Sequence, residues 1–92
     1  MLIEWDPNKA AANFEKHGVT FEAASTVFLD PLAVTYPDPD HSVGEHREIT
    51  VGHTMKHELV FVAHVQRQES IRMISARRLT KAERRQYEKR YR

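Results

Sequence analysis

Residues 59–65, Leu-Val-Phe-Val-Ala-His-Val, constrain this chain more than any other segment. Apolar side chains occupy both alternating sets, so a strand built from them has no face to give to water. It must be central in a sheet and covered on both sides. The apolar run 59–63 is far shorter than the roughly 20 residues a bilayer crossing needs, so no membrane association is expected. With 92 residues, the expectation is one small domain over residues 1–92, whose simple core buries only around 60% of the unfolded surface. There is no cysteine, hence no disulfide and no thiolate chemistry. The charged start, Glu4-Trp5-Asp6, does not read as a signal peptide.

The segments around that strand alternate between two periods. Residues 2–5 read as a short strand. Asp6-Pro7 is a helix start, an N-cap followed by a residue with no N–H to lose, and Gly18 is a left-handed stop. Ala10, Phe14 and His17 form one side of that helix, with Lys9, Asn13 and Lys16 a polar stripe beside it. Thr20 caps a second helix with Phe21, Ala24, Val27 and Phe28 on its core face, ended by Asp30-Pro31. Residues 32–36 and 47–52 read as strands separated by a proline-rich loop. Residues 53–57 read as a turn and 70–76 as a returning strand. Thr80-x-x-Glu83 is a capping box opening a last helix, whose thin apolar stripe is Ala82, Tyr87 and Tyr91. The expected fold is α+β, a small mainly antiparallel sheet with two N-terminal helices and a C-terminal helix.

Six histidines raise the question of a metal. His53 and His57 flank a turn, and Asp38, Asp40 and His41 sit where turn formers are usual, so no metal site and no cofactor are expected. His64 shares a strand face with Val60 and Val62. It is either a hydrogen-bonded core histidine or a general acid or base tuned by burial.

The net charge of +1 conceals a polarised chain. Residues 1–65 carry four bases against ten acids, and residues 66–92 carry ten bases against three acids. Such asymmetry suits a polyanionic partner or an internal acid–base match. No Gly-x-Ser-x-Gly and no phosphate-binding glycine loop is present. Chemistry that needs neither protein nucleophile nor metal remains, and RNA cleavage is of that kind, because the substrate's 2′-hydroxyl attacks its own phosphate. Arginine is suited to the phosphorane charge. Strict alternation along 71–78 places Arg77 beside Ile71, Met73 and Ser75, with Arg72 and Arg78 opposite, unless a bulge intervenes.

Several motifs carry a resemblance. Trp5-Asp6, Lys9, Asn13, Lys16-His17-Gly18-Val19, Phe21, Ala23-Ala24 and Val27-Phe28 in the first half join Gly44-Glu45-x-Arg47, Gly52, Ile71-Arg72-x-Ile74-Ser75-Ala76-Arg77 and Glu83-Arg84-x-x-Tyr87 in the second. Together they resemble the BrnT-type toxins of bacterial type II toxin–antitoxin systems, over nearly the whole chain. The resemblance implies a RelE-like α+β fold and a toxin endoribonuclease that cleaves cellular RNA without metal and arrests translation in the bacterial cytoplasm. It also implies neutralisation by a cognate antitoxin, usually with a ribbon-helix-helix part, and contact with operator DNA only through that complex. It points to Arg47, Arg77 and Arg78 as phosphate or transition-state contacts. Lys16, His17 and His64 are further candidates for proton transfer. Arg67, Arg72, Arg84 and Tyr87 are the expected substrate-binding residues. The alternative function is a non-catalytic nucleic-acid-binding regulatory module using the basic C-terminal surface. A metal-dependent hydrolase built on the histidines is a third.

Overall fold

A computed structural model describes residues 2–38, 40 and 44–90. The elements follow in the order β1 (Leu2–Glu4), α1 (Pro7–His17), α2 (Phe21–Ser25), a 3-10 turn (Thr26–Leu29), β2 (Val34–Pro37), β3 (Arg47–His53), β4 (Leu59–Arg67), β5 (Ser70–Arg78) and α3 (Lys81–Lys89). The five strands form one sheet in the order β1-β5-β4-β3-β2. β4 is therefore the middle strand, as its two-sided apolar pattern requires. Val60 and Val62 enter one core with Phe21, Val27 and Met73, beneath the N-terminal helices. Leu59 and Ala63 enter a second with Ile49, Val51 and Tyr87, on the α3 side.

The expected mainly antiparallel sheet is corrected to a mixed one. β2, β3, β4 and β5 pair antiparallel in sequence, but β1 lies parallel to β5. The physical reason is the route of the chain. β1 is separated from β5 in sequence by every other strand, and α1 and α2 carry the chain across one face before it re-enters the sheet at the far edge, in β2.

Local chemistry sets the element ends. Asp6 accepts the Asn8 N–H at 2.8 Å and Gly18 closes α1 at φ 70°. Thr20 accepts the Ala23 N–H at 3.1 Å. Thr80 and Glu83 exchange both bonds of the capping box at the start of α3. The second helix ends earlier than its apolar face suggests. After Ser25 the chain tightens into the 3-10 turn, where Thr26 donates to the Ala23 carbonyl and accepts the Met55 N–H. Asp30 then accepts the His53 N–H at 2.8 Å, tying this turn to β3. At that crossing Gly52 has no room for a side chain, since a Cβ would lie 2.8 Å from Ala33 Cβ and 2.9 Å from Asp30 Oδ2.

Two sequence expectations for side-chain placement fail informatively. Asn13, expected in a polar stripe, is the buried residue of α1, while Phe14 is 54% exposed. β1 pairs with β5 only at residues 70–72, which leaves the β5 edge open further along. The Asn13 carboxamide takes the place of the missing strand. It accepts the Ala76 N–H at 3.0 Å and donates to the Ala76 carbonyl at 2.9 Å and the Val19 carbonyl at 3.1 Å. A buried backbone edge must be satisfied, and that demand outweighs helix amphipathicity here.

The second failure is strict alternation on β5. Ala63 pairs with Ser75, but His64 pairs with Met73, so Ile74 is the extra residue of a bulge. Beyond it the faces exchange. Arg77 pairs with Phe61 and Arg78 with Val60. Arg77 thus joins Arg72 on the α3 face, and Arg78 joins Met73 on the α1 face. Tyr91 and the tail 91–92, expected to continue the apolar stripe of α3, lie outside the described residues, as does His41 of the proline-rich loop.

Candidate functional site at the α3 face of the sheet

Strand alternation and the bulge bring Tyr36, Arg47, Phe61, Arg72 and Arg77 to the face that α3 only partly covers. Between α3 and the sheet lies a cleft of about 260 Å³, lined by Val34, Tyr36, Val51 and Phe61 below and by Leu79, Glu83, Gln86, Tyr87 and Arg90 above. At its border the Arg77 guanidinium lies 4.3 Å from the centroid of the Phe61 ring. A cation over a ring face is attracted by the ring quadrupole. Two of its nitrogens donate to the two Glu83 oxygens at 2.7 and 2.9 Å. These bonds hold the Glu83 carboxyl down to about 2, from an ordinary 4.5, and raise Arg77 further. Tyr36 is raised above the usual phenol value by partial burial and by the Glu83 charge. It keeps its proton at neutral pH.

The other expected site residues are distributed more widely. Arg78 is on the opposite face. It pairs with Glu58 at 2.7 Å and donates to the His17 carbonyl at 3.2 Å, closing the C-terminal end of α1. Its placement is that of a structural tie, not of a partner to Arg77. Arg47 lies 3.7 Å from Asp38, Arg72 lies 3.7 Å from Glu4, and Arg67 makes a two-nitrogen pair with Glu45 at 3.0 and 3.1 Å. Arg67, Arg72 and Arg78 thus pair with the first-half acids Glu45, Glu4 and Glu58, which realises in part the intramolecular acid–base match that the charge asymmetry allows. Lys16 and Arg84 are exposed on α1 and α3. Tyr87 is buried, at 7% exposure, and its hydroxyl donates to the Leu32 carbonyl at 3.2 Å. It anchors α3 to the chain before β2, and its ring meets that of His53 in a T-shaped contact, centroids 5.9 Å apart.

For His64 the structure favours the core reading over the catalytic one. The ring is 2% exposed, under the N-terminal helices and across the sheet from Arg77. Its Nε2 is 2.7 Å from the Thr50 hydroxyl, which is 2.7 Å from that of Thr35. The ring meets Phe28 edge-on at 5.1 Å, and Nδ1 has no hydrogen-bond partner among the described residues. Burial pushes its pKa below the ordinary 6.5, with Glu48 opposing weakly. A base depressed by folding is protonated more readily in the unfolded chain, so stability is complete above about pH 6.5 and declines as the pH falls below it. Urea unfolding at pH 7.5 and pH 5.5 is expected to show wild-type stability falling more than that of His64→Leu. Equal pH slopes would remove His64 as the cause.

Among the described residues no group of three His, Asp or Glu side chains is placed to hold a metal ion, and no helix is long and apolar enough to cross a membrane. Sequence reading missed Phe61, Glu83, Tyr36, Gln86 and Arg90 as site residues. Phe61 was legible only as core, and Glu83 as a cap and a member of the Glu83-Arg84-x-x-Tyr87 motif. Each does that work and also borders the cleft.

A family model described as "Ribonuclease toxin, BrnT, of type II toxin-antitoxin system" matches residues 5–83. No curated protein matches the sequence. Among solved structures, the crystal structure of the Brucella abortus ribonuclease toxin BrnT superposes with a TM-score of 0.69 at 23% identity, covering 88% of this chain and 99% of that one. At that identity the likeness is one of fold.

Proposed function

Because the chain belongs to the BrnT family of ribonuclease toxins of type II toxin–antitoxin systems, we propose that it cleaves cellular RNA at the α3 cleft, without a metal ion, and so arrests translation. The observation that carries this reading is Arg77, a permanent cation held over Phe61 by a carboxylate that a phosphate can replace. The two side chains are 34% and 36% exposed, so a phosphate can reach the pair from solvent and take the place of the Glu83 carboxylate. In the proposed reaction the 2′-hydroxyl loses its proton to solvent water and its oxygen bonds to the adjacent phosphorus. The 5′-oxygen leaves and takes a proton, giving a 2′,3′-cyclic phosphate and a free 5′-hydroxyl. Arg77 releases Glu83 and pairs with the phosphorane oxygens, a charge that forms only in the transition state. Tyr36, with its phenol protonated, is the proposed donor to the leaving oxygen.

The proposal extends to the setting. Residues 1–92 act as one toxin domain with a RelE-like fold in the bacterial cytoplasm. Its antitoxin is a ribbon-helix-helix protein that covers the basic surface and carries the complex to operator DNA. Purified protein incubated with total RNA in EDTA is expected to yield fragments with cyclic-phosphate ends. Intact RNA at high enzyme concentration overturns the nuclease reading. Cleavage that appears only when a divalent cation is added overturns its metal independence.

A further inference from the structure

The mechanism above uses Arg77 at the border of the cleft and the Tyr36 hydroxyl within it, and gives no role to the apolar interior of the cleft. Its size and lining are specific. The volume of about 260 Å³ falls just below the roughly 300–1,000 Å³ of clefts that hold drug-sized ligands, which suits one planar ring system. Apolar walls come from Val34, Val51 and Leu79, and three aromatic side chains, Tyr36, Phe61 and Tyr87, line the same space. Gln86 and Glu83 supply an amide and a carboxylate at the α3 wall, able to meet donors and acceptors on a ring edge. Cations stand at the border, Arg77 over Phe61 and Arg90 among the lining residues.

Aromatic surface for a base beside guanidinium for a phosphate is the combination by which single-stranded nucleic acid is held. We propose that the cleft between α3 and the sheet is a nucleobase subsite, receiving one unstacked base of the RNA chain next to the phosphate engaged by Arg77. The assignment rests on the RNA-directed reading above and adds selectivity to it. The walls accept a planar ring, and Gln86 and Glu83 discriminate among the four bases by their edges. Cleavage is therefore base-selective at one position beside the scissile bond. Arg77 alone, touching only phosphate, would give none of that selectivity.

The probes are 2′-O-methyl trinucleotides, which lack the attacking hydroxyl and so stay intact. The central base is adenine, guanine, cytosine, uracil or absent. Binding to the wild-type protein is measured by calorimetry, and cleavage of the matching all-ribose RNAs is followed in parallel. At least one base-bearing probe is expected to bind about tenfold or more tightly than the abasic one. Filling the cleft with Val34→Phe is expected to erase that difference while leaving the affinity of the abasic probe in place. Gln86→Ala, a change at a solvent-accessible position of the cleft wall, is expected to change which base is preferred and serves if Val34→Phe does not fold.

Equal affinity of base-bearing and abasic probes for the wild type overturns the subsite. It leaves the cleft to a side chain of a protein partner. Cleavage with no base preference in binding defeats the subsite and spares the nuclease reading. Base-dependent binding without cleavage defeats the nuclease reading and spares the subsite.

Discussion

Replacing Asn13 with alanine is expected to cost about 3–5 kcal/mol of folding stability. The side chain makes three hydrogen bonds to buried backbone groups, two at Ala76 and one at Val19. Each group left unpaired costs roughly 1–3 kcal/mol, and the carboxamide volume is lost as well. Set against the ~5–15 kcal/mol that holds a domain of this size together, the change leaves a marginal protein. Asn13→Asp should lose nearly as much. Its carboxylate can still accept the Ala76 N–H but meets two carbonyl oxygens where the amide donated. Equilibrium urea denaturation measures both. A loss below about 1 kcal/mol for Asn13→Ala would show that water seals this edge as well as the amide does.

The second large effect separates two adjacent arginines. Arg77→Ala is expected to lower the RNA cleavage rate by about 100- to 1,000-fold, the usual cost of removing one preorganised donor to a developing oxyanion. Arg78→Ala is expected to change that rate less than threefold, about 0.65 kcal/mol in barrier. It should instead lower stability, because it strips the Glu58 pair and the bond to the His17 carbonyl. Two side chains one residue apart then report on different properties. Single-turnover cleavage of a short RNA, with circular dichroism melting of the same samples, checks both halves. If Arg78→Ala abolishes cleavage in a folded protein, the cleft is on the wrong face. If Arg77→Ala cuts normally, the cleft is not where the phosphate binds.

The parts of this fold that were legible in the sequence are those set by local rules. Asp6-Pro7, Gly18, Thr20 and the Thr80–Glu83 box each mark an element end through a bond within four residues in sequence. The centrality of β4 followed from its own two-sided pattern. What was not legible depends on distant partners. Asn13 reads as a solvated helix residue until Ala76, 63 positions away, is placed beside it. The bulge at Ile74 leaves no composition signal, since an isoleucine suits a regular strand as well as an irregular one. Sorting Arg77 from Arg78 therefore needed the register, and so did the parallel placement of β1. His64 on a face with Val60 and Val62 was readable, and the choice between core and catalysis fell to burial. The site residues missed by pattern, Phe61 and Glu83, already had sufficient structural reasons to be where they are.

The supernumerary isoleucine in β5 also bears on how descendants of this gene can vary in length. Excising codon 74 would join Met73 to Ser75 in uninterrupted pairing, because their partners His64 and Ala63 are already consecutive. The guanidinium of residue 77 would stay above the cleft. Ironing the kink flat without shortening the chain would do the reverse, rotating that side chain beneath the N-terminal helices and presenting its neighbour in its stead. Orientation at this locus is inherited through pairing parity: a homologue lacking one residue here keeps the side chain of residue 77 on the α3 face, while a full-length one that straightens the strand turns it to the other.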